Sequence, residues 1–405
     1  MNIAIIHSYS SVGGCHFLVA LVCGLEKYYP NIKISVFSDV KDITVGIESL
    51  SPYLIDTPTS FKRKKYFHIK ILDNVINHFR KRYHKIKSNN LIEHINTRFD
   101  IMFYTWFYSC QLPMPLYNPK IPTFFIIHDL IVTHFFGLHS GMQAYSYNES
   151  NLLKQRILDY INSGSIPCFA TEFVRQDFLK HFPHYNGKTY VVLSHFKKRD
   201  EVDLNKCEEI LKKYDVPKDY IIYPTNDMLH KNMGQALSGY FIAKQKHPNL
   251  KMIIVGYGTK GIRLKMENQY YATNVDKTQD YDIKSFGMVD DITLSVLIKN
   301  AKLLLNTSLC EAACGSGIDA WHLGTPTAIS DIPCYKEQVE KLGVKTKFFN
   351  PRQADDIGKA ILNILDNPQK AQEDAKYSYN IMMSQSCEKS FVDNYVRIFK
   401  EYIVG

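Results

Sequence analysis

The sequence predicts an α/β protein with two parallel sheets, one in each half of the chain. Short apolar runs bounded by turn residues alternate with longer segments of helical character in the first half, as in "NIAIIHS", "DIMFYTW" and "TFFIIHD". The second half repeats this alternation with "YIIYPT", "KMIIVG" and "KLLLNTS". Continuous apolar strands joined through helices are typical of parallel sheets that are covered on both faces. Two such series therefore predict two sheets.

A polar stretch separates the two series. Residues 197–220, "KKRDEVDLNKCEEILKKYDVPKDY", are rich in charge and contain no long apolar run. Such composition is typical of a connection between domains. We therefore expect one domain over residues 1–196 and a second over residues 197–385.

The composition suits two ordinary globular domains, with 405 residues of which 45% are hydrophobic and 22% charged. The longest apolar stretch, residues 121–138, approaches the length of a membrane span, but His128, Asp129 and His134 interrupt it. We expect a buried strand and loop there. The first residues lack the basic region and cleavage site of a secretion signal, so we expect a cytoplasmic protein.

Cysteine usage and one acidic pair bear on metal binding. Nine cysteines, an odd number scattered through apolar runs, indicate reduced thiols. Cys310 and Cys314 have no second pair of ligands nearby in sequence, which argues against a zinc site. The "DYD" of residues 280–282 spells an Asp-x-Asp motif but lies in a polar loop. We expect no metal.

Positive charge is concentrated in residues 61–88, which contain ten Lys and Arg against one Asp. Apolar residues at spacing close to helical run through this basic segment, so an amphipathic helix is plausible. Three interpretations remain open: a solvated helix face, an anionic membrane surface or lipid phosphate, and nucleic acid. The rest of the chain shows no nucleic-acid module, so we expect no nucleic-acid partner.

Ligands of parallel sheets bind beyond the carboxyl ends of the strands. Gly13 and Gly14 follow the first predicted strand and precede a helix. Glycines let the backbone approach a ligand, and a helix N-terminus offers N–H groups to an anion. An ordinary turn would explain the same two residues.

A second loop of this kind follows "KLLLNTS". Glu311 lies in the loop and Asp319 in the first turn of the helix predicted after it, which Gly324 closes. We expect both carboxylates to face one crevice, where they would accept hydrogen bonds from hydroxyls while the helix N-terminus binds phosphate. A phosphate and a polyol together make a sugar nucleotide. Alternatively, Asp319 only stabilises the helix dipole and Glu311 is solvated.

These residues resemble the acid-x7-acid signature of family 4 glycosyltransferases, here Glu311, seven residues and Asp319. The resemblance covers nearly the whole chain, through "FFIIHDLI", "YIIYPTNDMLHKNMGQAL", "IIVGYG", "SFGMV" and "KFFNP". It implies the GT-B fold, in which two Rossmann-like domains face each other across a cleft. It also implies that a C-terminal helix, residues 386–405, crosses back to the first domain; an ordinary packed helix would explain the same apolar stripe.

The resemblance also implies roles for individual residues. Lys231 would contact the donor diphosphate, where a compact positive charge offsets the charge of the leaving group. Glu311 would bind the hydroxyls of the donor sugar and Asp319 those of the ribose, while His128 would lie beside the reacting sugar. An exposed loop cation and a structural histidine are the alternatives for Lys231 and His128. The other residues expected to bind the donor are Gly13, Gly14, Thr225, Asn226, Gly256, Gly258, Ala313, Cys314, Gly315, Ser316 and Gly317.

Two positions depart from the family pattern. Asp319 replaces the usual Glu, and its side chain is one methylene shorter. Thr225 or Asn226 occupies the place where many relatives have an Arg, which leaves one fewer cation for the diphosphate.

The implied function is retaining transfer of a hexose from a UDP- or GDP-linked sugar to a glycan or lipid-linked acceptor. The expected setting is the synthesis of surface polysaccharide or glycoconjugate, on the inner face of a membrane. We expect front-face displacement without a metal. A GT-B sugar-nucleotide epimerase and a sugar-nucleotide-binding subunit without turnover are the alternatives.

Overall fold

The computed structural model describes residues 1–7, 12–38, 53–54, 91–106, 119–135, 145–194, 204–260, 282–384 and 387–403. Within these residues the chain forms two parallel sheets with helices between the strands, which confirms the predicted α/β class. The basic segment 61–88 and the predicted junction near residue 197 lie outside them.

The first sheet has the strand order β3-β2-β1-β4-β5-β6-β7 among the described residues. Its strands are β1 (Asn2–His7), β2 (Lys33–Ser38), β3 (Tyr53–Leu54), β4 (Ile101–Trp106), β5 (Thr123–Ile127), β6 (Ile166–Phe169) and β7 (Tyr190–Val191). The strand order reverses direction between β1 and β4, and such a switch point opens a crevice at the carboxyl ends of the strands.

The second sheet has the order β10-β9-β8-β11-β12-β13. Its strands are β8 (Tyr220–Pro224), β9 (Lys251–Val255), β10 (Ile283–Gly287), β11 (Leu303–Asn306), β12 (Thr327–Ser330) and β13 (Lys347–Phe349). The corresponding switch point lies between β8 and β11. The loops that follow these two strands are therefore expected to carry the function of this half.

Helices connect the strands of both sheets. In the first half they are α1 (Val12–Tyr28), α2 (91–98), α3 (Ile131–His134), α4 (Tyr147–Asn162) and α5 (Glu172–His181). The second half contains α6 (Leu204–Lys213), the 3-10 turn Leu229–Lys231, α7 (Met233–Lys246), α8 (Asp291–Lys299), α9 (Gly315–Leu323), α10 (Pro333–Leu342), α11 (Ala354–Asp366), α12 (Pro368–Ser384) and α13 (Cys387–Lys400).

Local sequence signals fix several helix ends. Ser146 and Glu149 form a capping box at the start of α4, and the Asp290 side chain accepts the Thr293 N–H at the start of α8. Gly324 ends α9 in the left-handed conformation, as predicted.

The C-terminal helix α13 packs on the first sheet. Its aromatic side chains meet those of α1, β4 and β5, with ring centroids of Phe391 and Phe17 5.5 Å apart and those of Phe399 and Phe124 5.1 Å apart. A Cβ built on Gly24 of α1 would lie 2.7 Å from Cγ1 of Val392. The absence of that Cβ lets α1 and α13 approach closely.

The apolar stretch 121–138 contains β5, which is buried along its whole length. Burial between sheet and helices explains its hydrophobicity, as predicted. Among the residues that the structure describes, no helix combines the length and apolarity needed to cross a membrane.

Candidate active site

Lys231 and Glu311 form an ion pair at the switch point of the second sheet. The Lys231 ammonium donates a hydrogen bond to Oε1 of Glu311, and Nε2 of His230 lies 3.8 Å from the same oxygen. Lys231 follows β8 and Glu311 follows β11, which are neighbouring strands. The two side chains are only 22% and 13% exposed, so the pair is largely withdrawn from water.

Buried hydroxyl groups hold the backbone of Lys231. Its carbonyl oxygen accepts hydrogen bonds from Tyr223 at 2.6 Å and from Thr307 at 2.9 Å. Asn232 ends the turn in the left-handed conformation, and its side-chain nitrogen donates to the Pro351 carbonyl at 2.6 Å. These contacts come from β8, from the end of β11 and from beyond β13, so the position of Lys231 depends on the whole sheet.

The ionisation of this pair follows from its surroundings. Burial alone would raise the pKa of Glu311, but Lys231, His230 and the Ser308 hydrogen bond together outweigh burial and lower that pKa. Glu311 is therefore a carboxylate that can only accept hydrogen bonds. Burial lowers the pKa of His230 to about 4, with Glu311 opposing and Lys231 adding to the shift, so its imidazole is neutral near pH 7.

His128 lies at the carboxyl end of β5 in the first sheet. Its Nε2 donates to the Thr105 carbonyl at 2.9 Å, and the rings of Phe17 and Trp106 lie 5.1 and 5.2 Å from its own. Burial lowers the pKa of His128 to about 4, although the bond to Thr105 opposes the shift. The side chain is thus a neutral, firmly held imidazole.

The loop after β5 faces the ion pair of the second sheet. Burial and, to a smaller extent, the charge of Glu311 raise the pKa of Asp129 to about 6, against its bond from the Ile131 N–H and the charge of Lys231. The ring of Phe135 lies 6.0 Å from that of His230. The structure therefore brings this loop of the first sheet, which also carries His128, close to the Lys231–Glu311 pair.

Two residues of this region were not predicted. Asp129 follows His128 directly at the end of a strand, but the sequence motifs predict no role for it. His7 ends β1, and its Nδ1 hydrogen-bonds Oγ1 of Thr105 at 2.8 Å. Burial, with a contribution from His128, lowers the pKa of His7 to about 3. Polar residues at the carboxyl ends of apolar strands were the signal that could have identified both.

Asn306, the last residue of β11, organises the loop that carries Glu311. Its side-chain oxygen accepts from the Ser308 N–H at 3.1 Å and the Tyr335 hydroxyl at 3.2 Å, and its nitrogen donates to Oγ of Ser316 at 3.0 Å. The Cys314 N–H donates to Oε1 of Gln338 at 2.6 Å. The N–H of Cys314 is therefore engaged within the protein.

The helix after this loop begins earlier than predicted. Because α9 starts at Gly315, Asp319 lies in its second turn and not in the first. The bonds from Gln338 and Asn306 hold the chain at its N-terminus, so Gly315, Ser316 and Gly317 are already helical. Ala313 remains in the loop before it.

Two loops touch each other at the ends of β8 and β9. The loop after β8 contains Thr225 and Asn226, and the loop after β9 contains Gly256 and Gly258. The Thr225 N–H donates to the Val255 carbonyl at 2.8 Å, and Oδ1 of Asn226 accepts a hydrogen bond from the Met228 N–H at 3.1 Å. Gly256 has a φ of +134°, and a Cβ there would lie 1.8 Å from the Thr225 carbonyl oxygen. Only glycine fits this contact.

Gly13 and Gly14 lie in the first turn of α1, which begins at Val12, and not in the predicted loop. The first N–H groups of a helix lack partners within it, so this turn still presents donors. One turn further, Nε2 of His16 lies 3.6 Å from the carboxylate of Asp291 at the start of α8. This end of α1 therefore meets the second half of the chain.

The sequence motifs weighed as metal sites have other partners. Asp282 pairs with Lys244 at 2.7 Å and Lys251 at 3.2 Å, while residues 280–281 lie outside the described part of the chain. Burial raises the pKa of the Cys314 thiol to about 12 and raises that of Cys310 as well.

Comparisons with known proteins agree with this architecture. Residues 208–381, which include Lys231 and Glu311, match the family model of group 1 glycosyl transferases. HepE of Anabaena, solved with UDP and glucose, is 13% identical with a TM-score of 0.68, over 99% of this chain and 100% of HepE. A glycosyltransferase of Rickettsia africae is 14% identical with a TM-score of 0.69, over 100% of this chain and 98% of its own.

A third solved structure, WaaG, a glycosyltransferase involved in lipopolysaccharide biosynthesis, is 14% identical with a TM-score of 0.61, over the full length of both chains. At such identities the likeness shows the fold, which is the expected GT-B arrangement. No curated protein sequence matches the chain significantly.

Proposed function

We propose that this chain is a group 1 glycosyltransferase that transfers a hexose from a UDP- or GDP-linked donor with retention of configuration. The match of residues 208–381 to that family model and the GT-B fold support the proposal. One observation carries the proposal: the half-buried Lys231–Glu311 pair lies at a switch point and faces the loop that carries His128. A UDP donor is supported by HepE, which was also solved in complex with UDP-glucose.

In the absence of donor, Lys231 and Glu311 neutralise each other. The proposed donor enters with its diphosphate at Lys231 and its sugar hydroxyls at Glu311. Each group then exchanges its protein partner for one on the donor: the ammonium meets the charge of the diphosphate, and the carboxylate accepts hydrogen bonds from the hydroxyls. The ammonium is also in place to stabilise the negative charge that the leaving diphosphate gains.

The other predicted residues complete the proposed donor site. Asp319, in the second turn of α9, serves the ribose hydroxyls. The loops after β8 and β9 and the first turns of α1 and α9 line the remaining surface of the donor. The residues assigned there are Gly13, Gly14, Thr225, Asn226, Gly256, Gly258, Ala313, Cys314, Gly315, Ser316 and Gly317.

We propose a front-face displacement for the transfer itself. The bond from the anomeric carbon to the phosphate oxygen breaks while the acceptor oxygen bonds to the same face, and the acceptor proton passes to the departing phosphate. The neutral imidazole of His128 lies on the acceptor side and hydrogen-bonds the reacting sugar. Closure of the two domains aligns the reacting atoms.

The proposed acceptor is a glycan or a lipid-linked sugar of surface polysaccharide or glycoconjugate synthesis. The role of WaaG in lipopolysaccharide biosynthesis supports this class. We further propose that the basic segment 61–88 meets an anionic membrane surface, since ten Lys and Arg against one Asp would favour acidic lipids. No metal is required in this scheme.

A donor screen tests the proposal. Protein is mixed with UDP-, GDP-, ADP- and CMP-sugars, and its melting temperature, nucleotide release and the recovered sugar nucleotide are measured. Lys231→Ala and Glu311→Ala are compared with Lys302→Ala, whose exposed ammonium pairs with Asp219 at 3.0 Å at the opposite end of the same sheet.

We expect the sugars of one nucleotide to raise the melting temperature of wild type and Lys302→Ala, and both proteins to hydrolyse them slowly. The increase in melting temperature should be lost in Lys231→Ala. Hydrolysis should be lost in both Lys231→Ala and Glu311→Ala. Recovery of an epimerised sugar nucleotide would instead identify an epimerase. Stabilisation without turnover, even with candidate acceptors, would identify a binding subunit, and no effect of any donor would contradict the proposal.

A further inference from the structure

Two histidines and a buried carboxylate meet outside the Lys231–Glu311 pair. His134 ends α3, and Asp177 and His181 lie one turn apart on α5. One possible ligand atom from each residue lies within 4.8 Å of the other two. Nε2 of His134 is 2.7 Å from Oδ2 of Asp177, and Nδ1 of His181 is 3.6 Å from Oδ1. The sequence did not suggest this cluster, because 43 residues separate His134 from Asp177.

We propose that His134, Asp177 and His181 bind a divalent transition-metal ion of the zinc type. Two imidazole nitrogens and one carboxylate oxygen suit Zn²⁺, Co²⁺ or Ni²⁺, whereas Mg²⁺ and Ca²⁺ prefer oxygen ligands alone. Three protein ligands leave one coordination position for water or for a ligand.

The charge balance around Asp177 favours a cation. Its side chain is only 11% exposed, and its ion partners among the described residues are the two histidines. Arg175, two residues earlier on α5, pairs with Glu172 instead. Buried carboxylates are costly unless a positive charge or hydrogen bonds compensate them. A metal ion between the imidazoles would supply that charge.

Only small movements are needed to close the site. Tetrahedral zinc with bonds of about 2.0 Å places its ligand atoms about 3.3 Å apart. Separations of up to 4.8 Å must therefore shrink by at most about 1.5 Å, and the 2.7 Å between His134 and Asp177 must widen by about 0.6 Å. The side chain of His134 is 37% exposed. His181 now donates from Nδ1 to the Asp177 carbonyl at 2.9 Å, and would move that proton to its other nitrogen. Both imidazoles then bind the ion in their neutral forms.

The position of the cluster gives the ion a structural consequence. His134 lies six residues beyond His128 on the same loop and short helix, while the first N–H groups of α5 donate to Glu337 of α10. The nitrogen–oxygen distance is 2.7 Å for the Glu172 N–H and 3.0 Å for the Phe173 N–H. A bound ion would therefore fasten the loop that carries His128 to a helix that is docked on the second half of the chain.

Cobalt titration of the metal-free, untagged protein tests the proposal without any sugar donor. Visible absorption of Co²⁺ reports tetrahedral coordination, and a thiolate charge-transfer band would reveal cysteine ligands. The variants are His134→Ala, His181→Ala and Asp177→Asn, and the matched control is His184→Ala, an exposed histidine just beyond α5. Circular dichroism shows whether each variant is folded.

We expect one equivalent of Co²⁺ to bind wild type and His184→Ala with no thiolate band and to be displaced by Zn²⁺. Binding should weaken by at least about tenfold in each folded cluster variant, since each loses one ligand. Zn²⁺ should raise the melting temperature of wild type and of the control only. No saturable binding, equal binding by all variants, or a thiolate band would overturn the proposal.

Discussion

The ammonium of Lys231 donates a hydrogen bond to the carboxylate of Glu311, although 80 residues separate them in the chain. They meet because β8 and β11 are neighbours in the second sheet and because parallel strands present their carboxyl ends at one edge. Removing either partner leaves the other charge partly buried and unpaired. Local stability therefore depends on this contact, and so would the proposed binding of the donor.

Replacing Glu311 by Gln keeps the shape of the side chain but removes its charge. We expect donor turnover to fall by about a hundredfold or more, because a charged acceptor for the sugar hydroxyls is lost in a site shielded from water. Steady-state release of nucleotide measures the effect. Glu340→Gln, an exposed change on α10, should retain full turnover. Equal activity of the two variants would show that Glu311 does not act on the donor.

Buried histidines predict that the protein loses stability in acid. Burial holds the pKa of His7 at about 3 and those of His128 and His230 at about 4, below the unfolded value of 6.5. Their contribution to the free energy of unfolding is complete above pH 6.5 and is lost as the pH falls towards 4. The reason is that the histidines of the unfolded chain bind protons in this range, whereas those of the folded protein do not. Denaturant unfolding at pH 7 and pH 5 should show this loss.

His128→Gln should reduce the pH dependence between those two values by about one proton, or roughly 1.4 kcal/mol per pH unit at most. His184→Gln alters an exposed histidine and is the matched control. An identical slope in all three proteins would mean that His128 is protonated in the folded state.

Asp129 should act in the opposite direction. Its pKa of about 6 in the folded protein exceeds the ordinary value of 3.8, so its contribution to stability is complete below pH 3.8 and is lost as the pH rises through 6. Asp129→Asn keeps an oxygen for the Ile131 N–H and removes the charge. We expect it to be more stable than wild type by roughly 1–3 kcal/mol at pH 7.5 and by less at pH 5. A variant that is destabilised at both pH values would contradict this assignment.

Gly256→Ala tests the contact between the loops after β8 and β9. A Cβ at 1.8 Å from the Thr225 carbonyl oxygen forces the backbone apart. We therefore expect the free energy of unfolding to fall by at least ~3 kcal/mol and donor binding to be lost. Gly343→Ala is the control, since Gly343 also has positive φ but nothing lies within 4 Å of the added Cβ. It should cost only about 1 kcal/mol. Denaturant unfolding measures both variants, and similar losses would disprove the steric explanation.

The close approach of α1 and α13 predicts a compensating pair of substitutions. Gly24→Ala places a Cβ 2.7 Å from Cγ1 of Val392, which should cost about 1 kcal/mol after the gain in helix propensity. In a Val392→Ala background the same change should be neutral or stabilising, because the clashing methyl group is gone. Additive effects of the two changes in denaturant unfolding would show that the helices do not meet there.

The fold was predictable from local patterns, because buried parallel strands need continuous apolar runs and helices need caps. "TFFII" of β5 and Gly324 at the end of α9 illustrate both cases. The start of α9 was not predictable from local sequence. It depends on a hydrogen bond from the Cys314 N–H to the side chain of Gln338, which lies 24 residues further along the chain. Gly13 and Gly14 are predicted in a loop, but they lie in the first turn of α1.

The candidate site was only partly predictable. Lys231, Glu311 and His128 follow apolar strands and belong to motifs, so their positions at the sheet edges could be inferred. The surroundings of Asp129 and the cluster of His134, Asp177 and His181 depend on residues that come together only when the strands and helices pack. Sequence patterns report the period of an element and its ends, but not which side chains of distant elements share a space.

Separate affinities for a nucleoside diphosphate and for its sugar conjugate test the central claim most directly. Calorimetric titrations of wild type, Lys231→Ala and Glu311→Ala would use the nucleotide that the donor screen selects. If Lys231 binds the diphosphate and Glu311 the sugar, Lys231→Ala should weaken both ligands by about tenfold or more, while Glu311→Ala should weaken only the sugar conjugate. Affinities for both ligands that are unchanged in either variant would contradict the assignment of this ion pair as the donor site.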